Sequence, residues 1–183
     1  FLHSKRDLYE RLNLHVIVTT QLMKENVEKS ILRGAISINV ISNGVNLDTY
    51  RPINPKEARA QLGLPIDRKI VLWAAGSRGN YRKGYSLALD ALAQLYSAGE
   101  MKPMLITMGG GQGWKGEEPN IPIKHLGYIR DREQQVLIYS AADVFQLTTL
   151  ADAQPQTALE SIACGTPVIA FPVGPMPDML ATG

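Results

Sequence analysis

The sequence predicts an α/β fold in which helices cover both faces of a parallel sheet. Short apolar runs recur along the chain without the alternation of a half-exposed strand, and the clearest is Lys69 to Ala75 (KIVLWAA). Stretches of helical length separate these runs. Strands that are buried on both faces and joined by helices are typical of a Rossmann-like parallel sheet. Ligands bind such a sheet where its strands end and its helices begin.

The composition narrows the class of protein. The 183 residues include 19 basic and 17 acidic side chains and are 45% hydrophobic, a balance that excludes a nucleic-acid binder by charge. The single Cys164 and the 3 histidines cannot form a disulfide framework or a metal site with recognisable spacing, so we expect no metal and a reducing, cytoplasmic location. No apolar run reaches the length of a membrane span, and no leader pattern opens the chain.

Residues 1–44 have the pattern of a β-α-β unit that ends in the turn Ser42-Asn43-Gly44. Residues 45–55, which carry Asn, Asp and Pro, are predicted to be a linker to a domain at residues 56–183. The chain starts at Phe1 and stops at Gly183 directly after an apparent helix, which predicts a fragment of a longer protein. The elements predicted in the first segment are a helix at Lys5–Leu12, a strand at Leu14–Thr19, a helix at Gln21–Leu32 and a short apolar run at Ile38–Ile41.

The second segment alternates helices and strands as far as residue 171. Gly63 is predicted to end the first of its helices, because glycine is common just after a helix C-terminus. The predicted helices are Pro55–Leu62, Ser86–Ser97, Arg132–Ala141 and one that starts at Pro155, and the predicted strands are Lys69–Ala75, Met104–Met108, Ile123–Leu126, Asp143–Leu147 and Val168–Phe171.

The stretch from Thr149 to Phe171 carries the strongest functional signal. Pro155 is predicted at the first helical position, where its missing N–H costs nothing. The free amides of that first turn form a site for anions, above all phosphate. Glu160 follows about one turn later, where its carboxylate can accept hydrogen bonds from hydroxyl groups. Phosphate and neighbouring hydroxyls together indicate a nucleotide. The amides predicted to bind are those of Gln156, Thr157 and Ala158.

A basic loop follows the central strand and runs from Gly76 to Gly84. It contains Arg78, Arg82 and Lys83 among glycines that let a ligand approach the backbone closely. Arg grips phosphate oxygens with two parallel hydrogen bonds, and Lys adds a compact positive charge. The loop therefore suits a diphosphate, although a charge cluster taken alone favours a solvated surface loop.

A second glycine-rich run, Gly111 to Gly116, satisfies the pattern G-x-G-x-x-G. A dinucleotide-binding loop must open a helix, whose N-terminus holds the pyrophosphate. Here the run leads into Glu117, Glu118 and Pro119, which cannot form that helix. We therefore exclude a nicotinamide or flavin site.

The order of residues in the Thr149–Phe171 stretch resembles the C-terminal domain of retaining glycosyltransferases of the GT-B fold, in family 4. The resemblance rests on Asp152 and Glu160, seven residues apart, followed by the tail Cys-Gly-Thr-Pro-Val-Ile-Ala at residues 164–170. Asp152 replaces the usual Glu, and residues 153–155 (Ala-Gln-Pro) replace Gly-Phe-Gly. Pro155 cannot donate the backbone hydrogen bond that a glycine there could.

The resemblance implies roles for particular residues. Arg78 and Lys83 would bind and neutralise the diphosphate, with Arg82 able to replace Arg78, and Glu160 would bind the ribose. Asp152 would bind the 3- and 4-hydroxyls of the transferred sugar. Gly76 and Gly109 end strands at the ligand edge, and the backbone of Gly127, Tyr128 and Ile129 would contact the base, either uracil or guanine.

The resemblance further implies retaining transfer of a hexosyl group from a UDP- or GDP-sugar to a sugar or lipid-linked acceptor, with no obligatory metal. Most of an N-terminal domain would lie outside this chain, and peripheral membrane association would depend on it. Two alternatives stay open at this point. They are a sugar-nucleotide epimerase of the same fold and a module that binds a nucleotide without turnover.

Overall fold

The computed structural model describes residues 2–99 and 101–181, which divide into two compact units. The small unit comprises residues 1–44, 152–154 and 174–183, and the large unit comprises residues 45–151 and 155–173. Residues 45–55, the predicted linker, are part of the large unit. The assignment of the first segment as the remnant of an N-terminal domain stays a prediction.

The described residues follow the predicted alternation of helices and strands. A 3₁₀ turn, Tyr81–Lys83, connects the central strand to the helix that follows it. The elements in chain order are α1 (Leu2–Arg11), β1 (His15–Val18), α2 (Gln21–Glu28), β2 (Ser37–Val40), α3 (Pro55–Leu62), β3 (Ile70–Ser77), α4 (Tyr85–Ala98), β4 (Met104–Gly110), β5 (Ile123–His125), α5 (Arg132–Ala141), β6 (Val144–Leu147), α6 (Gln156–Ala163), β7 (Val168–Ala170) and α7 (Met176–Ala181).

The small unit is built on two parallel strands, β1 and β2. Helix α2 begins after Thr20, whose side chain accepts a hydrogen bond from the Met23 N–H. It ends at Glu28, before the predicted Leu32, because the Ser30 hydroxyl donates to the Val27 carbonyl (2.8 Å) and accepts from the Leu32 N–H (3.0 Å). Such local side-chain bonds compete with helical hydrogen bonds.

The large unit is a five-stranded parallel sheet in the order β5-β4-β3-β6-β7. The chain runs from β3 to β4 and β5 on one side and then crosses to β6 and β7 on the other. The sheet therefore has a topological switch point between β3 and β6, where the crevice at the carboxyl ends of parallel strands takes ligands. The predicted parallel sheet flanked by helices is confirmed.

Buried aromatic rings fix α4 and the loop after β4 against the sheet. The ring of Tyr85 lies 4.8 Å from the ring of Trp73 and 4.9 Å from that of Trp114, in tilted and edge-to-face arrangements. Trp73 and Tyr85 belong to the core cluster that β3 and β4 form with α4, and the partly buried Trp114 packs against it. Because Tyr85 is the first residue of α4, this packing fixes the point at which the basic loop turns into the helix.

An ion pair fixes the other end of the sheet, where β3 and β6 begin. The guanidinium of the buried Arg59 donates to Asp143 Oδ2 (2.7 Å) and to the Ala141 carbonyl (2.9 Å). The same carboxylate accepts from the Ile70 N–H (2.7 Å) and from the Lys69 ammonium (2.9 Å). Burial raises the pKa of Asp143, but these hydrogen bonds outweigh burial and leave the pKa below its usual range.

The structure confirms the predicted end of α3 and corrects the predicted start of α6. Gly63 ends α3 in the left-handed conformation (φ 59°), as predicted. Pro155 is the N-cap of α6 rather than its first helical residue, with φ −69° and ψ 115°. Proline fixes φ near this value but leaves ψ free, so the residue can sit just outside the helix.

Candidate functional site

A cleft opens in the large unit at the carboxyl ends of β3 and β4. It has a volume of about 140 Å³. Six of the predicted ligand-binding residues line it, namely Gly76, Gly109, Tyr128, Ile129, Thr157 and Glu160, and so do four that the sequence did not indicate, namely Ala75, Met108, Gln135 and Tyr139. The fold thus brings together the predicted base-binding, strand-end and ribose-binding positions.

Glu160 is the acidic side chain of this cleft. The hydroxyl of Tyr139 donates to its Oε2 at 2.8 Å. Burial raises the pKa of Glu160, and the hydrogen bond from Tyr139, the nearby Tyr50 and the charge of Arg132 only partly offset that rise. A half-buried carboxylate held on one oxygen is suited to accepting hydrogen bonds from ligand hydroxyls with the other.

The N-terminus of α6 presents fewer amides than the sequence predicts. The Ala158 N–H donates to the Pro155 carbonyl at 3.1 Å, so the predicted free amide of Ala158 is wrong. The reason is that the first turn of α6 closes as a tight i to i−3 turn, which is common at helix termini. Thr157 lines the cleft, and the roles of Gln156 and Thr157 stay predictions.

The 3₁₀ turn Tyr81–Lys83 carries two of the three predicted cations, Arg82 and Lys83. The Asn80 side chain caps the turn by accepting from the Arg82 N–H (3.2 Å). Gly84 follows in the left-handed conformation (φ 66°), and a Cβ there would overlap the carbonyl oxygen of Thr148. This glycine is therefore required by both its backbone angle and its neighbour.

The segment after β6 holds that turn through its backbone carbonyls. The Thr148 hydroxyl donates to the Gly84 carbonyl (2.7 Å) and accepts from the Trp73 indole N–H (3.1 Å). The Arg82 carbonyl accepts from the Thr149 hydroxyl (3.1 Å) and from the Leu150 N–H (2.7 Å). Both threonines are buried. The position of the cationic turn thus depends on residues far away in sequence.

The third predicted cation, Arg78, points into a neighbouring polar cluster. Its side chain is 16% exposed, lies 3.9 Å from Glu118, contacts His125 and stacks 5.7 Å from the centre of the Tyr85 ring. Burial raises the pKa of Glu118, but hydrogen bonds from Tyr85 and His125 and the charge of Arg78 outweigh burial and lower it. In this arrangement Arg78 neutralises Glu118, and its role at a diphosphate stays a prediction.

The G-x-G-x-x-G run is a packing surface for the basic loop. A Cβ at Gly79 would overlap the Gly113 backbone, and a Cβ at Gly111 would overlap the Arg78 guanidinium. Backbone bonds from Arg78 N–H to the Gly110 carbonyl (2.9 Å) and from Gly79 N–H to the Gln112 carbonyl (3.2 Å) join the two loops. The run opens no helix, since the next helix of the described chain is α5.

The predicted base-binding corner follows β5. The Gly109 N–H donates to the carbonyl of Gly127 (2.7 Å), which has φ 71°. Gln135 of α5 donates to the Ile129 carbonyl (2.8 Å), and Tyr128 is 68% exposed. These bonds fix the corner against β4 and α5, so its backbone groups have a defined orientation toward the cleft.

Asp152, the predicted sugar-binding acid, belongs to the small unit. The Ala153 N–H donates to its Oδ1 at 2.9 Å, and the side chain is half-buried. In the same unit the Asn43 N–H donates to Gln154 Oε1 at 2.7 Å. The role of Asp152 stays a prediction.

The described residues, 2–99 and 101–181, give two further findings. They contain no helix that is long and apolar enough to cross a membrane and no group of three or more His, Cys, Asp or Glu side chains that could bind a metal ion. Cys164 is buried, and burial raises the pKa of its thiol to about 12.

A parallel sheet with an acidic side chain, a cationic turn and a backbone corner at its carboxyl edge agrees with the GT-B fold that the sequence resemblance implied. Residues 68–183 match the family model described as Glycosyl transferases group 1, and the chain belongs to that family.

Relatives and solved structures agree with this assignment. The chain is 30% identical to D-inositol 3-phosphate glycosyltransferase from Mycolicibacterium smegmatis over 92% of its own length and 40% of that protein. It is 29% identical to the Mycobacterium tuberculosis protein of the same name over 80% of its length and 31% of that protein. The chain therefore spans less than half of these relatives.

Among solved structures, sucrose-phosphate synthase from Thermosynechococcus elongatus is 28% identical with a TM-score of 0.78, over 96% of this chain and 44% of that chain. Anabaena Alr3699/HepE, solved in complex with UDP-glucose, is 23% identical with a TM-score of 0.72, over 97% of this chain and 50% of that chain. The second likeness shows the fold alone. Together the matches confirm the predicted fold class.

Proposed function

We propose that the chain binds the nucleotide-sugar donor of a retaining glycosyltransferase, with a UDP- or GDP-hexose as donor. The observation that carries this proposal is the cleft at the carboxyl edge of the sheet, where Glu160, Thr157 and the backbone of Ile129 line one cavity. A carboxylate for hydroxyls, a helix N-terminus for phosphate and backbone groups for a base are the three chemistries that a nucleoside diphosphate needs.

The binding mode follows from those positions. Glu160 accepts hydrogen bonds from the ribose hydroxyls, and the corner at residues 127–129 contacts the base. Lys83, together with Arg78 or Arg82, neutralises the diphosphate. Asp152 binds hydroxyls of the transferred sugar.

The chemistry needs stabilisation of a leaving group. When the bond between the sugar and the diphosphate breaks, negative charge develops on the departing phosphate. Fixed cations that are already in place stabilise that charge without reorganising. Lys83 and an arginine of the basic loop supply this stabilisation in our proposal, and no obligatory metal is required for it.

The comparisons support a donor of this class. The relatives at 29–30% identity are named as glycosyltransferases, and a structure with the same fold was solved with UDP-glucose. We propose a sugar or lipid-linked acceptor and a cytoplasmic location, with any peripheral membrane association residing in parts of the relatives that this chain does not match. Since the chain matches 40% of its M. smegmatis relative, we propose that it binds the donor but does not transfer sugar by itself.

Calorimetric titration with UDP and with GDP tests the proposal. The folded chain is expected to bind at least one of them, and Glu160→Ala is expected to weaken binding more than Asp152→Ala, because a nucleoside diphosphate has ribose hydroxyls and no sugar. Lys83→Ala is expected to lower the affinity about tenfold or more, the usual effect of losing a hydrogen bond to a charged group.

Circular dichroism first establishes that each variant is folded. No heat from either nucleotide with the folded parent would refute the proposal. Equal losses for Glu160→Ala and Asp152→Ala would refute the division of roles between the two acids. Incubation of a full-length protein that contains this chain with sugar nucleotides would separate transfer from epimerisation and from binding without turnover.

A further inference from the structure

Tyr139 is a buried tyrosine of α5 whose hydroxyl reaches the functional cleft. The residue is 0% exposed, and its hydroxyl donates to Glu160 Oε2 at 2.8 Å. It also lines the cleft itself. A buried tyrosine hydroxyl usually finds a hydrogen-bond partner, and most side-chain hydrogen bonds go to backbone groups or water. Here the partner is instead the carboxylate that the proposed function assigns to the ribose.

The rest of Tyr139 is fixed by packing. Its ring lies edge to face against Phe145 of β6, with centres 6.1 Å apart, and against Tyr50, with centres 6.4 Å apart. Its backbone carbonyl accepts from the Thr166 hydroxyl at 2.6 Å. Withdrawing the ring would therefore break its packing against Phe145 of β6 and against Tyr50, and the Thr166 bond ties its main chain to the turn before β7. The hydroxyl is thereby held at one position relative to Glu160.

Tyr50 is the second tyrosine near Glu160, but its hydroxyl donates to a different residue. The Tyr50 hydroxyl donates to Gln135 Oε1 at 2.7 Å, and Gln135 in turn donates to the Ile129 carbonyl. A hydroxyl has one proton to donate. Tyr139 is consequently the hydroxyl whose proton is directed at Glu160.

We propose that Tyr139 is a positioning residue of the nucleotide site, which holds the Glu160 carboxylate by one oxygen so that the other is aimed at the ribose hydroxyls. This inference rests on the proposed function. The hydrogen bond replaces the freedom of a long acidic side chain with one orientation, which is the condition for efficient binding at a preorganised site.

The same hydrogen bond favours the charged form of Glu160. The titratable and charged groups near this carboxyl are Tyr139 and Arg132 of α5, Tyr50 before α3, and Cys164, whose own pKa Glu160 raises. Burial raises the pKa of Glu160, and the Tyr139 hydroxyl opposes that rise. Without that hydroxyl the pKa of Glu160 rises further, and the carboxyl becomes protonated at a higher pH.

Tyr139→Phe tests the inference because it removes the hydroxyl and keeps the ring that packs on Phe145 and Tyr50. The probes are UDP and 2′,3′-dideoxyuridine diphosphate, which lacks the ribose hydroxyls, each titrated calorimetrically into the whole chain. The variant is expected to bind UDP roughly tenfold more weakly and to bind the dideoxy analogue as the parent does. Tyr96→Phe is the matched control, since the Tyr96 hydroxyl donates to the Pro103 carbonyl (2.5 Å) away from the cleft.

A double-mutant cycle and a pH series add two independent measurements. In a Glu160→Gln background, Tyr139→Phe is expected to have little further effect on UDP affinity, because the carboxylate that it orients is gone. In the single variant, the loss of UDP affinity on acidification is expected to begin at a higher pH than in the parent. A general structural defect would instead lower the affinity for both probes equally at every pH.

The outcomes separate this inference from the function on which it rests. A parent chain that binds neither UDP nor GDP refutes the proposed function and this inference with it. The inference alone is refuted if the parent prefers UDP over the dideoxy analogue and the Tyr139→Phe variant shows the same preference and the same pH profile. Equal loss of both probes in a folded Tyr139→Phe variant also refutes it.

Discussion

Thr148→Val removes a single buried hydroxyl that links the sheet to the cationic turn. Thr148 is 5% exposed and Val has nearly the same volume, so the change creates no cavity. It does leave the indole N–H of Trp73, which is 2% exposed, without its acceptor. The Gly84 carbonyl keeps a bond from the Ala88 N–H (3.1 Å) and is less affected.

The expected cost follows from the one donor left unpaired. An unsatisfied buried polar group costs about 1–3 kcal/mol, so Thr148→Val should lower the free energy of unfolding of the large unit by about that amount. Urea unfolding followed by tryptophan fluorescence measures it, because the chain has 2 tryptophans and both Trp73 and Trp114 lie in the large unit. The dependence of the unfolding free energy on urea concentration should be unchanged.

A Trp73→Phe background sharpens this test. With no indole N–H to satisfy, Thr148→Val should cost less than it does in the parent by about 1–3 kcal/mol, the cost assigned to the unpaired donor, and the remaining tryptophan still reports unfolding. The reasoning fails if Thr148→Val lies within about 0.5 kcal/mol of the parent, the range of a neutral surface change. It fails equally if the cost is the same in both backgrounds.

Two further changes have defined outcomes. Gly84→Ala should lower the free energy of unfolding of the large unit, measured in urea, by clearly more than Gly99→Ala. Both glycines have positive φ, but only at Gly84 would a Cβ also overlap the Thr148 carbonyl. Similar losses for the two variants would contradict this reasoning. Asp143→Asn should lower the free energy of unfolding by about 1–3 kcal/mol at pH 7. The pKa of Asp143 is lower in the folded than in the unfolded chain, so its charge stabilises the fold above the unfolded pKa, and this stabilisation is lost as the pH falls through the folded pKa. The cost of the substitution should therefore fade below about pH 4. A cost independent of pH would show that the charge of Asp143 does not contribute.

Most of the fold was predictable because it depends on local patterns. The run at residues 70–75 is apolar on both faces, and a short run of this kind bounded by turn signals is typical of a strand covered on both sides. Gly63 ended a helix, as predicted, and the alternation of helices with strands fixed the parallel topology. Helix α2 ended early because the Ser30 side chain forms bonds that the apolar pattern does not show.

Site residues were predictable where they belong to a local sequence motif, such as the start of a helix or the end of a strand. Glu160 and Thr157 follow a helix start, and Gly109 and Gly76 end strands, so their arrival in one cleft follows from the topology. The expectation of a free Ala158 amide was wrong because the choice between an α and a 3₁₀ first turn depends on backbone details that the sequence does not give.

The residues that sequence reasoning missed act through contacts between distant segments. Tyr139 resembles an ordinary core residue of an amphipathic helix, and its 2.8 Å bond to Glu160 depends on how α5 and α6 pack. Thr148 has no local signal either, because its partners Trp73 and Gly84 lie on β3 and after the 3₁₀ turn. A polar residue directly after a buried strand was the only available hint.

The cationic turn is held through its main chain, and this leaves its side chains open to replacement. The carbonyls of Arg82 and Gly84 accept the bonds from the segment after β6, whereas the Arg82 side chain is exposed. Substitution at position 82 can therefore change the charge offered to a ligand while the backbone path is preserved. Substitutions at this position, natural or selected from a library, can therefore change the preference for differently charged donors while the main-chain hydrogen bonds of the turn stay intact.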